Sequence, residues 1–237
     1  MRIGIFDSGL GGINVLSCLL EKYPNNEYIF YGDTKNLPYG DKTKKELLEL
    51  ASNIIEFLLT KKVDIIIIAC GTISSTCYKE LKKKYSIPLY DIISPTLDYL
   101  LKDNINNIGV IGTKRTIESN IFNLKNKNII MKSTPLFVPI IENNEIDLKK
   151  DYIIEELKEF NNCDYLVLGC THYPLLKNII NNNFSVKTID MGECLINQLK
   201  ITNNGKKKIK LYFSKLNDNL EKRIKNIIHD EYEIIKK

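Results

Sequence analysis

The sequence contains no tryptophan, only two histidines, and no continuous apolar segment of the length that crosses a membrane. A membrane-spanning helix needs about 18 or more apolar residues, so the sequence predicts a protein without membrane association. Its first residues, MRIGIFDSG, enter a strand-like run directly and lack the anatomy of a secretory signal peptide. We therefore expect a cytoplasmic protein.

The cysteine pattern argues against a metal centre. None of the six cysteines forms a C-x-x-C pair, and only His172 and His229 could join them as ligands, so we expect no bound metal. The thiols of a cytoplasmic chain are expected to stay reduced, and most free cysteines behave as small buried hydrophobic residues. Four of the six keep that interpretation, while Cys70 and Cys170 receive a functional one below.

Basic residues are in slight excess, with a net charge of +5, but they do not form a nucleic-acid-binding pattern. Lysines cluster at residues 82–84, 149–150 and 206–208, and these clusters are scattered rather than interleaved with aromatic residues. Such runs are usually solvated surface, so we expect no nucleic-acid partner.

Three segments of the first half recur in the same order in the second half. In the clearest pair, an aspartate is followed by four strand-forming residues, a small residue and a cysteine. The pairs are RIGIFDS (2–8) with NIGVIGT (107–113), VDIIIIACGT (63–72) with CDYLVLGCTH (163–172), and YSIPLYD (85–91) with FSVKTID (184–190). This order indicates a duplicated unit of strand, helix, strand, helix and strand.

The segment between two of these strands has a helical pattern. Residues 43–62 place apolar side chains at helical spacing, and Thr43 with Glu46 predicts a capping box at the start. Strands that alternate with such helices predict mostly parallel sheets covered on both faces. We therefore predict an α/β fold of two pseudo-symmetric domains, each with a mostly parallel sheet flanked by helices, and an active site in the cleft between them.

The repeat also sets the expected domain boundaries. The first domain is predicted to cover residues 1–93 and to be completed by 197–237, and the second domain to cover 94–196. In the tail, residues 207–215 are predicted to form a strand and residues 217–236 a charged amphipathic helix.

Duplication places Cys70 and Cys170 at equivalent strand ends, on opposite walls of the predicted cleft. This arrangement suits a reaction that removes a proton from one face of a carbon and returns one to the other face. A thiol can act there as base or acid, since its usual pKa of about 8.5 leaves a few per cent as thiolate at neutral pH. A helix N-terminus beside each cysteine is expected to lower the thiol pKa.

The turns after the two strands can stabilise the carbanion of such a reaction. Gly71 and Thr72 follow the first cysteine, while Thr171 and His172 follow the second, so backbone N–H groups and polar side chains lie near each thiol.

A third turn, FDSGLGG (6–12), fails the dinucleotide-binding template because Asn14 takes the place of its last glycine. We interpret it as an anion-binding turn for a carboxylate. Its Asp7 is expected to accept a hydrogen bond from a substrate ammonium or to assist Cys70.

Six motifs occur in an order that resembles a known family. They are DSGLGG (7–12), GDTKNLPYG (32–40), ACGT (69–72), IGVIGTKRTI (108–117), FVPIIE (137–142) and LGCTHYPLL (168–176). In this order they resemble the glutamate racemases of the aspartate/glutamate racemase superfamily. The resemblance runs from Arg2 to about Asp190, and the predicted tail strand and helix also suit it.

The resemblance implies a cofactor-independent 1,1-proton transfer that interconverts L- and D-glutamate and supplies D-glutamate for peptidoglycan. Glutamate would be the small-molecule substrate, and the protein would form a homodimer. By match to the family motifs, Cys70 and Cys170 are expected to be the two acid/base thiols, with Asp7 assisting one cysteine and His172 supporting Cys170. The same match gives the expected substrate-binding residues, namely Asp7, Ser8, Pro38, Tyr39, Gly40, Gly71, Thr72, Thr113, Glu142, Thr171 and His172.

One departure from the family pattern affects the substrate contacts. The family usually has asparagine directly after the first cysteine, where this chain has Gly71. Replacing Gly71 with asparagine is therefore expected to strengthen substrate binding. A smaller departure is Met191 after Asp190, where a small hydroxyl residue is commoner.

The change at Gly71 leaves alternatives open. The nearest is an aspartate racemase or an amino-acid racemase of broader specificity on the same fold. A second is a binding protein that keeps the fold without catalytic turnover. A third is a thiol redox protein, which would form a disulfide between Cys70 and Cys170.

Overall fold

The structure is a computed structural model that describes residues 1–102, 104–216 and 220–237. Strands and helices alternate along most of this length. The strands are β1 (Arg2–Asp7), β2 (Glu27–Gly32), β3 (Ile65–Ile68), β4 (Leu89–Asp91), β5 (Ile108–Gly112), β6 (Ile129–Ser133), β7 (Tyr165–Gly169), β8 (Lys187–Asp190), β9 (Lys208–Phe213) and β10 (Glu233–Lys236).

The helices fill the segments between these strands. The α-helices are α1 (Gly12–Lys22), α2 (Lys44–Thr60), α3 (Gly71–Lys84), α4 (Ile93–Leu100), α5 (Lys114–Glu118), α6 (Phe137–Glu142), α7 (Lys150–Leu157), α8 (Lys177–Asn183), α9 (Met191–Gln198) and α10 (Leu220–Lys225). Short 3₁₀ turns cover Thr34–Asn36, Lys158–Phe160 and Tyr173–Leu176. No helix within the described residues combines the length and the apolar character that crossing a membrane requires.

The strands form two parallel sheets with the same internal order. The larger sheet runs β10-β9-β2-β1-β3-β4 and the smaller one β6-β5-β7-β8, so β2-β1-β3-β4 is repeated by β6-β5-β7-β8. All of these strand pairs are parallel, with Ile3 opposite Ile65 in the first unit and Ile108 opposite Tyr165 in the second. The predicted α/β fold with two related parallel sheets is confirmed.

The inner strands β1, β2, β3, β5 and β7 are buried on both faces, as parallel strands covered by helices are. All four residues of β3 are buried isoleucines. A single core cluster includes Ile3 of the larger sheet and Val167 of the smaller one, together with Leu195 of α9. Helix α9 packs against both α1 and α4, so apolar burial joins the two units.

The tail differs in part from its prediction. The predicted strand at 207–215 is confirmed as β9, which lies beside β2. A single helix over 217–236 is wrong, although 217–219 lie outside the described residues. The chain instead forms the short helix α10 and then β10, in which Ile234 and Ile235 contact different core clusters. Alternate side chains that face different cores have the period of a strand, and pairing with β9 satisfies the backbone.

Both β9 and β10 belong to the larger sheet. This placement agrees with a first domain that includes the tail, but the boundaries 1–93 with 197–237, and 94–196, stay a prediction.

Helix α2 begins with the predicted capping box. The Thr43 hydroxyl accepts a hydrogen bond from the Glu46 N–H at 3.3 Å, and the Glu46 carboxylate accepts one from the Thr43 N–H at 2.8 Å. Two of the N–H groups that a helix start leaves without partners are therefore satisfied.

Removing this cap should weaken the fold. We expect Thr43→Ala to lower the free energy of unfolding by about 1 kcal/mol, because a cap hydrogen bond is lost. Thr60→Ala, at the exposed far end of the same helix, is the matched control and should change it by less than about 0.5 kcal/mol. Urea unfolding followed by circular dichroism measures both, and equal effects would show that the cap does not stabilise α2.

Candidate active site

A cavity of about 290 Å³ lies at the carboxyl ends of strands from both sheets, the place where α/β proteins hold ligands. Eleven of the predicted site residues line it: Ser8, Pro38, Tyr39, Gly40, Cys70, Gly71, Thr72, Thr113, Cys170, Thr171 and His172. The sequence analysis did not single out the remaining lining residues, which are Leu37, Asp41, Lys114, Thr134, Pro135, Leu136, Val138 and Pro139.

The internal repeat could have predicted two of these residues, Thr134 and Pro135. Strand β6 occupies the place in its sheet that β2 occupies in the other. Thr134 and Pro135 follow β6 directly, so the turn after this strand was a candidate once β6 was paired with β2. Strand β6 has no apolar run comparable to that of β3, which is why the sequence did not reveal the pairing.

Cys70 caps the N-terminus of α3 at the end of the β3 segment and is almost fully buried. Its thiol donates a hydrogen bond to the Ser8 hydroxyl at 3.7 Å. Burial raises the pKa of Cys70, and the negative charge of Asp7 raises it further. The Ile73 N–H in the first turn of α3 lowers this pKa, as expected of a helix N-terminus, but the loss of water around the thiolate outweighs it.

Cys170 occupies the equivalent position after β7, and its surroundings differ. Its sulfur lies 3.6 Å from Nδ1 of His172, and Nε2 of the same ring lies 2.5 Å from Oε1 of Glu142. Burial lowers the pKa of His172, but the hydrogen bonds with Cys170 and Glu142 outweigh it and raise the pKa well above its usual value. His172 can therefore stand beside Cys170 as an imidazolium.

Glu142, at the end of α6, contacts the ring nitrogen of His172 that lies opposite the Cys170 sulfur. Glu142 does not line the cavity. Its other carboxylate oxygen, Oε2, lies 2.5 Å from NH1 of Arg223. Burial alone would raise the pKa of Glu142, but the hydrogen bond and charge of His172, together with Arg223, lower it to about 2. Each carboxylate oxygen of Glu142 thus has a partner within the protein, namely His172 or Arg223.

Arg223 is a residue that sequence reasoning missed. It lies on α10, in the tail for which the sequence predicted only a charged amphipathic helix. A charged face of that kind carries no signal for one particular arginine, because only the tertiary fold brings α10 to the end of α6.

Asp7 ends β1 beneath the cavity and is fully buried without lining it. Its Oδ2 accepts hydrogen bonds from the Gly12 N–H at 2.7 Å and from the Thr171 hydroxyl at 3.2 Å. Its Oδ1 has no hydrogen-bond partner among the residues that the structure describes. Burial raises the pKa of Asp7, although His172 and the Cys70 thiol act in the opposite direction. One buried carboxylate oxygen therefore remains available beside the first thiol.

The two thiol-bearing turns pack directly on each other at Gly71. A Cβ atom added to Gly71 would lie 2.8 Å from the carbonyl oxygen of Gly169, which no ordinary Cβ contact allows. The residue after one cysteine thus touches the residue before the other. This contact gives a reason against the expectation that asparagine at position 71 would simply strengthen binding.

A pair of threonines joins the two units across the cavity. The hydroxyls of Thr72 and Thr113 lie 3.0 Å apart, and the Thr113 hydroxyl also lies 2.9 Å from that of Thr116. Thr113 and Cys70 both occupy N-cap positions, of α5 and α3, but only the Thr113 side chain accepts a hydrogen bond from the backbone of its helix. Threonines from both units therefore line the cavity that the two thiols also line.

The loop that carries Pro38, Tyr39 and Gly40 is held by Asp33. The Tyr39 hydroxyl donates to Oδ2 of Asp33 at 2.6 Å, and the Ser214 hydroxyl donates to Oδ1 at 2.7 Å. Burial raises the pKa of Tyr39, so its hydroxyl remains a donor. This hydrogen bond engages the phenol, and all three loop residues line the cavity.

All six cysteines are free thiols. Within the described part of the chain, no three His, Cys, Asp or Glu side chains are grouped so that they could hold a metal ion.

The chain is similar in sequence to known racemases. The sequence model of the family described as Asp/Glu/Hydantoin racemase matches residues 29–199. A glutamate racemase of Aquifex aeolicus is 38% identical to the chain, over 98% of the chain and 96% of that protein.

Solved structures give the same picture. Glutamate racemase from Aquifex pyrophilus has a TM-score of 0.86 and 35% identity, over 100% of this chain and 98% of its own. Glutamate racemase from Francisella tularensis in complex with D-glutamate has a TM-score of 0.88 and 29% identity, over 100% of this chain and 96% of its own.

The depressed pKa of Glu142 predicts how stability depends on pH. Its folded value of about 2 lies below the ordinary 4.5, so ionised Glu142 stabilises the fold above about pH 4.5. This contribution is lost as the pH falls through the folded value. We expect Glu142→Gln to lower the melting temperature at pH 6, with a difference from wild type that shrinks steadily between pH 4.5 and pH 2.

Glu155→Gln is the matched control for this series, because Glu155 forms an exposed ion pair with Lys158. Exposed pairs contribute little, so the control should follow wild type at every pH. Calorimetry across the pH range measures both variants. A Glu142→Gln difference that does not change with pH would contradict the ionised Glu142–His172 contact.

Proposed function

Because the chain belongs to the Asp/Glu/Hydantoin racemase family, we propose that it interconverts L- and D-glutamate by moving protons between two thiols and Cα. The observation that carries this proposal is the placement of Cys70 and Cys170 around one cavity, at matched strand ends of the two units. Inversion at Cα needs a base on one face and an acid on the other, and one base alone would tend to return its proton to the original face.

The first thiol is proposed to work with Asp7. For one enantiomer, the Cys70 S–H gives its proton to the free oxygen of Asp7, and the resulting thiolate removes the Cα proton. Burial raises the pKa of both groups, so this transfer is less unfavourable than transfer to an exposed carboxylate. Ser8, which accepts the Cys70 hydrogen bond, holds the sulfur in place.

The second thiol is proposed to work with His172. The Cys170 S–H proton leaves to solvent before the substrate binds, and an imidazolium 3.6 Å from the sulfur stabilises the thiolate that then removes the Cα proton. In the opposite direction, Cys170 gives its S–H proton to Cα, and the imidazolium stabilises the thiolate left behind. Glu142 keeps the imidazole protonated, and we assign it to this support rather than to a substrate contact.

The substrate is proposed to lie between the hydroxyls of Thr72, Thr113 and Thr171. The N-terminus of α3 brings backbone N–H groups to the same wall, where they can bind a carboxylate and stabilise the developing carbanion. Lys114 is the lysine that lines this cavity in the described structure, and its charge suits the second carboxylate of glutamate.

This reaction supplies D-glutamate for peptidoglycan. We propose that it takes place in the cytoplasm, in a homodimer, and without a pyridoxal or metal cofactor.

Solvent deuterium exchange is the most direct test. In deuterium oxide, the purified protein should place deuterium at Cα of both glutamate enantiomers, while circular dichroism of L-glutamate falls to zero. L-aspartate and neutral L-amino acids serve as the specificity controls. Loss of the signal with aspartate but not with glutamate would replace our proposal by an aspartate racemase, and no exchange in either enantiomer would indicate a binding protein.

Serine variants separate the roles of the two thiols. We expect Cys70→Ser and Cys170→Ser each to abolish racemisation, because an alcohol is far too weak an acid to replace a thiol. Each should still eliminate chloride from one enantiomer of glutamate chlorinated at Cβ, since the surviving thiol can remove one Cα proton. Cys18→Ser, at a half-buried thiol of α1, is the control and should keep racemisation. Near-normal racemisation in either active-site variant would refute the two-thiol assignment.

The Gly71–Gly169 contact gives a further prediction. Gly71→Asn and Gly71→Ala both add a Cβ atom that must displace the Gly169 carbonyl, so each should lower kcat/KM by about 10-fold or more. Circular dichroism of glutamate measures the rates. The alanine variant isolates the effect of the Cβ atom, and an asparagine variant that binds glutamate more tightly than wild type would show instead that the amide restores a contact.

A further inference from the structure

The carboxylate behind His172 is held by a residue from the C-terminal tail. NH1 of Arg223 lies 2.5 Å from Oε2 of Glu142 and 2.9 Å from the backbone carbonyl oxygen of the same residue. One nitrogen therefore fixes both the carboxylate and the main chain at the end of α6. The other carboxylate oxygen, Oε1, is directed at His172.

The Arg223–Glu142 ion pair is much less exposed than the Lys225–Glu221 pair on the same helix. The Arg223 and Glu142 side chains are 18% and 19% exposed, whereas those of Lys225 and Glu221 are 65% and 61% exposed. An exposed pair such as Lys225–Glu221 contributes little, because water competes for both charges. A largely buried arginine that contacts a carboxylate holds its partner in one geometry.

The contact also connects distant parts of the chain. Helix α10 lies between β9 and β10, which belong to the larger sheet, while α6 follows β6 of the smaller sheet. Arg223 lies beyond residues 29–199, the part that the family model matches. A residue of the C-terminal tail, which belongs to the larger sheet's unit, thus contacts Glu142 in the unit that carries Cys170.

We propose that Arg223 is a positioning residue for the Cys170 side of the site, because it fixes Glu142 so that the carboxylate orients His172 towards the Cys170 sulfur. The chain of contacts runs from Arg223 to Glu142, from Glu142 to His172, and from His172 to Cys170. No comparable contact joins Arg223 to Cys70 in the described structure, so this chain of contacts leads to one of the two thiols. The inference rests on the proposed function for its catalytic consequence and on geometry alone for its effect on the thiol.

The two directions of a racemase respond to such a change in a characteristic way. The equilibrium between enantiomers is fixed by the substrate, so a variant lowers kcat/KM by the same factor in both directions. The rate-limiting proton transfer can nevertheless change. If transfer at Cys170 slows, the isotope effect of deuterium at Cα rises for the enantiomer that Cys170 deprotonates and falls for the other.

Arg223→Met tests this directly. We expect kcat/KM to fall by about 10- to 100-fold, the size of effect that follows from small misplacement of a catalytic group. The Cα-deuterium isotope effect should become unequal for the two enantiomers. The enantiomer that Cys170 serves is the one whose chlorinated analogue the Cys70→Ser variant still eliminates. Lys222→Met, which removes an exposed positive charge from the same helix, is the matched control and should change neither quantity.

A second measurement does not depend on racemase activity. The rate at which iodoacetamide alkylates each cysteine, followed by mass spectrometry, should fall several-fold at Cys170 in Arg223→Met and stay unchanged at Cys70. Both thiols line one cavity, so Cys70 is an internal control for access. If the alkylation pattern changes while wild type shows no racemisation, the proposed function fails and the positioning role stands.

Two results for Arg223→Met would overturn the proposal. One is an unchanged rate of alkylation at Cys170, and the other is a loss of kcat/KM with equal isotope effects for both enantiomers. If Arg223→Met does not fold by circular dichroism, Arg223→Lys replaces it, since lysine keeps the charge but loses the planar guanidinium. It should show a smaller change in the same direction, and wild-type behaviour at Cys170 would refute the role of the guanidinium.

Discussion

The structure depends on a backbone contact that leaves no room for a side chain. Gly71 lies against the Gly169 carbonyl so closely that a Cβ atom would be 2.8 Å from the oxygen. Each of these glycines adjoins a cysteine in the sequence, so the contact sets how near the two thiol-bearing turns approach. Apolar packing of α9 against α1 and α4 supplies the burial that holds the units together, but it does not determine this approach. The absence of a side chain at Gly71 therefore lets the turns that carry Cys70 and Cys170 pack this closely.

Duplication explains the symmetry of the backbone and not the chemistry of the site. The strands β3 and β7 occupy equivalent places, and a cysteine follows each of them. The first thiol faces a buried carboxylate in Asp7, whereas the second faces an imidazole supported by Glu142. The negative charge of Asp7 raises the pKa of the Cys70 thiol, whereas the ring beside Cys170 can carry a positive charge. The two thiols of the proposed reaction therefore lie in different electrostatic surroundings.

Local patterns in the sequence were sufficient for the repeated strands, for β9 and for the capping box of α2, because apolar runs and cap residues are local. They did not reveal β2 or β6, and most of the cavity lining came from the resemblance to a family. The tail was not predictable in the same way. Residues 233–236 became a strand because β9 offered an edge to pair with, and Arg223 gained its partner because the fold brings α10 to α6. The direction of the Cys70 pKa shift was not predictable either. A helix N-terminus can be predicted from the sequence, but the depth of burial of one side chain cannot.

The raised pKa of Cys70 is consistent with catalysis once both sides of the proton transfer are considered. A thiol that is harder to ionise gives a thiolate that is a stronger base, and the Cα proton of an amino acid is only a weak acid. Exclusion of water therefore helps the step in which carbon loses its proton, while it penalises the earlier step in which the thiol loses its own. That penalty is reduced if the proton moves to a neighbour whose pKa is raised by the same burial, which is the position of Asp7 with its unpartnered Oδ1. On the Cys170 side, the role that we propose for the His172 imidazolium is to stabilise the thiolate by its charge, which the hydrogen bond with Glu142 maintains.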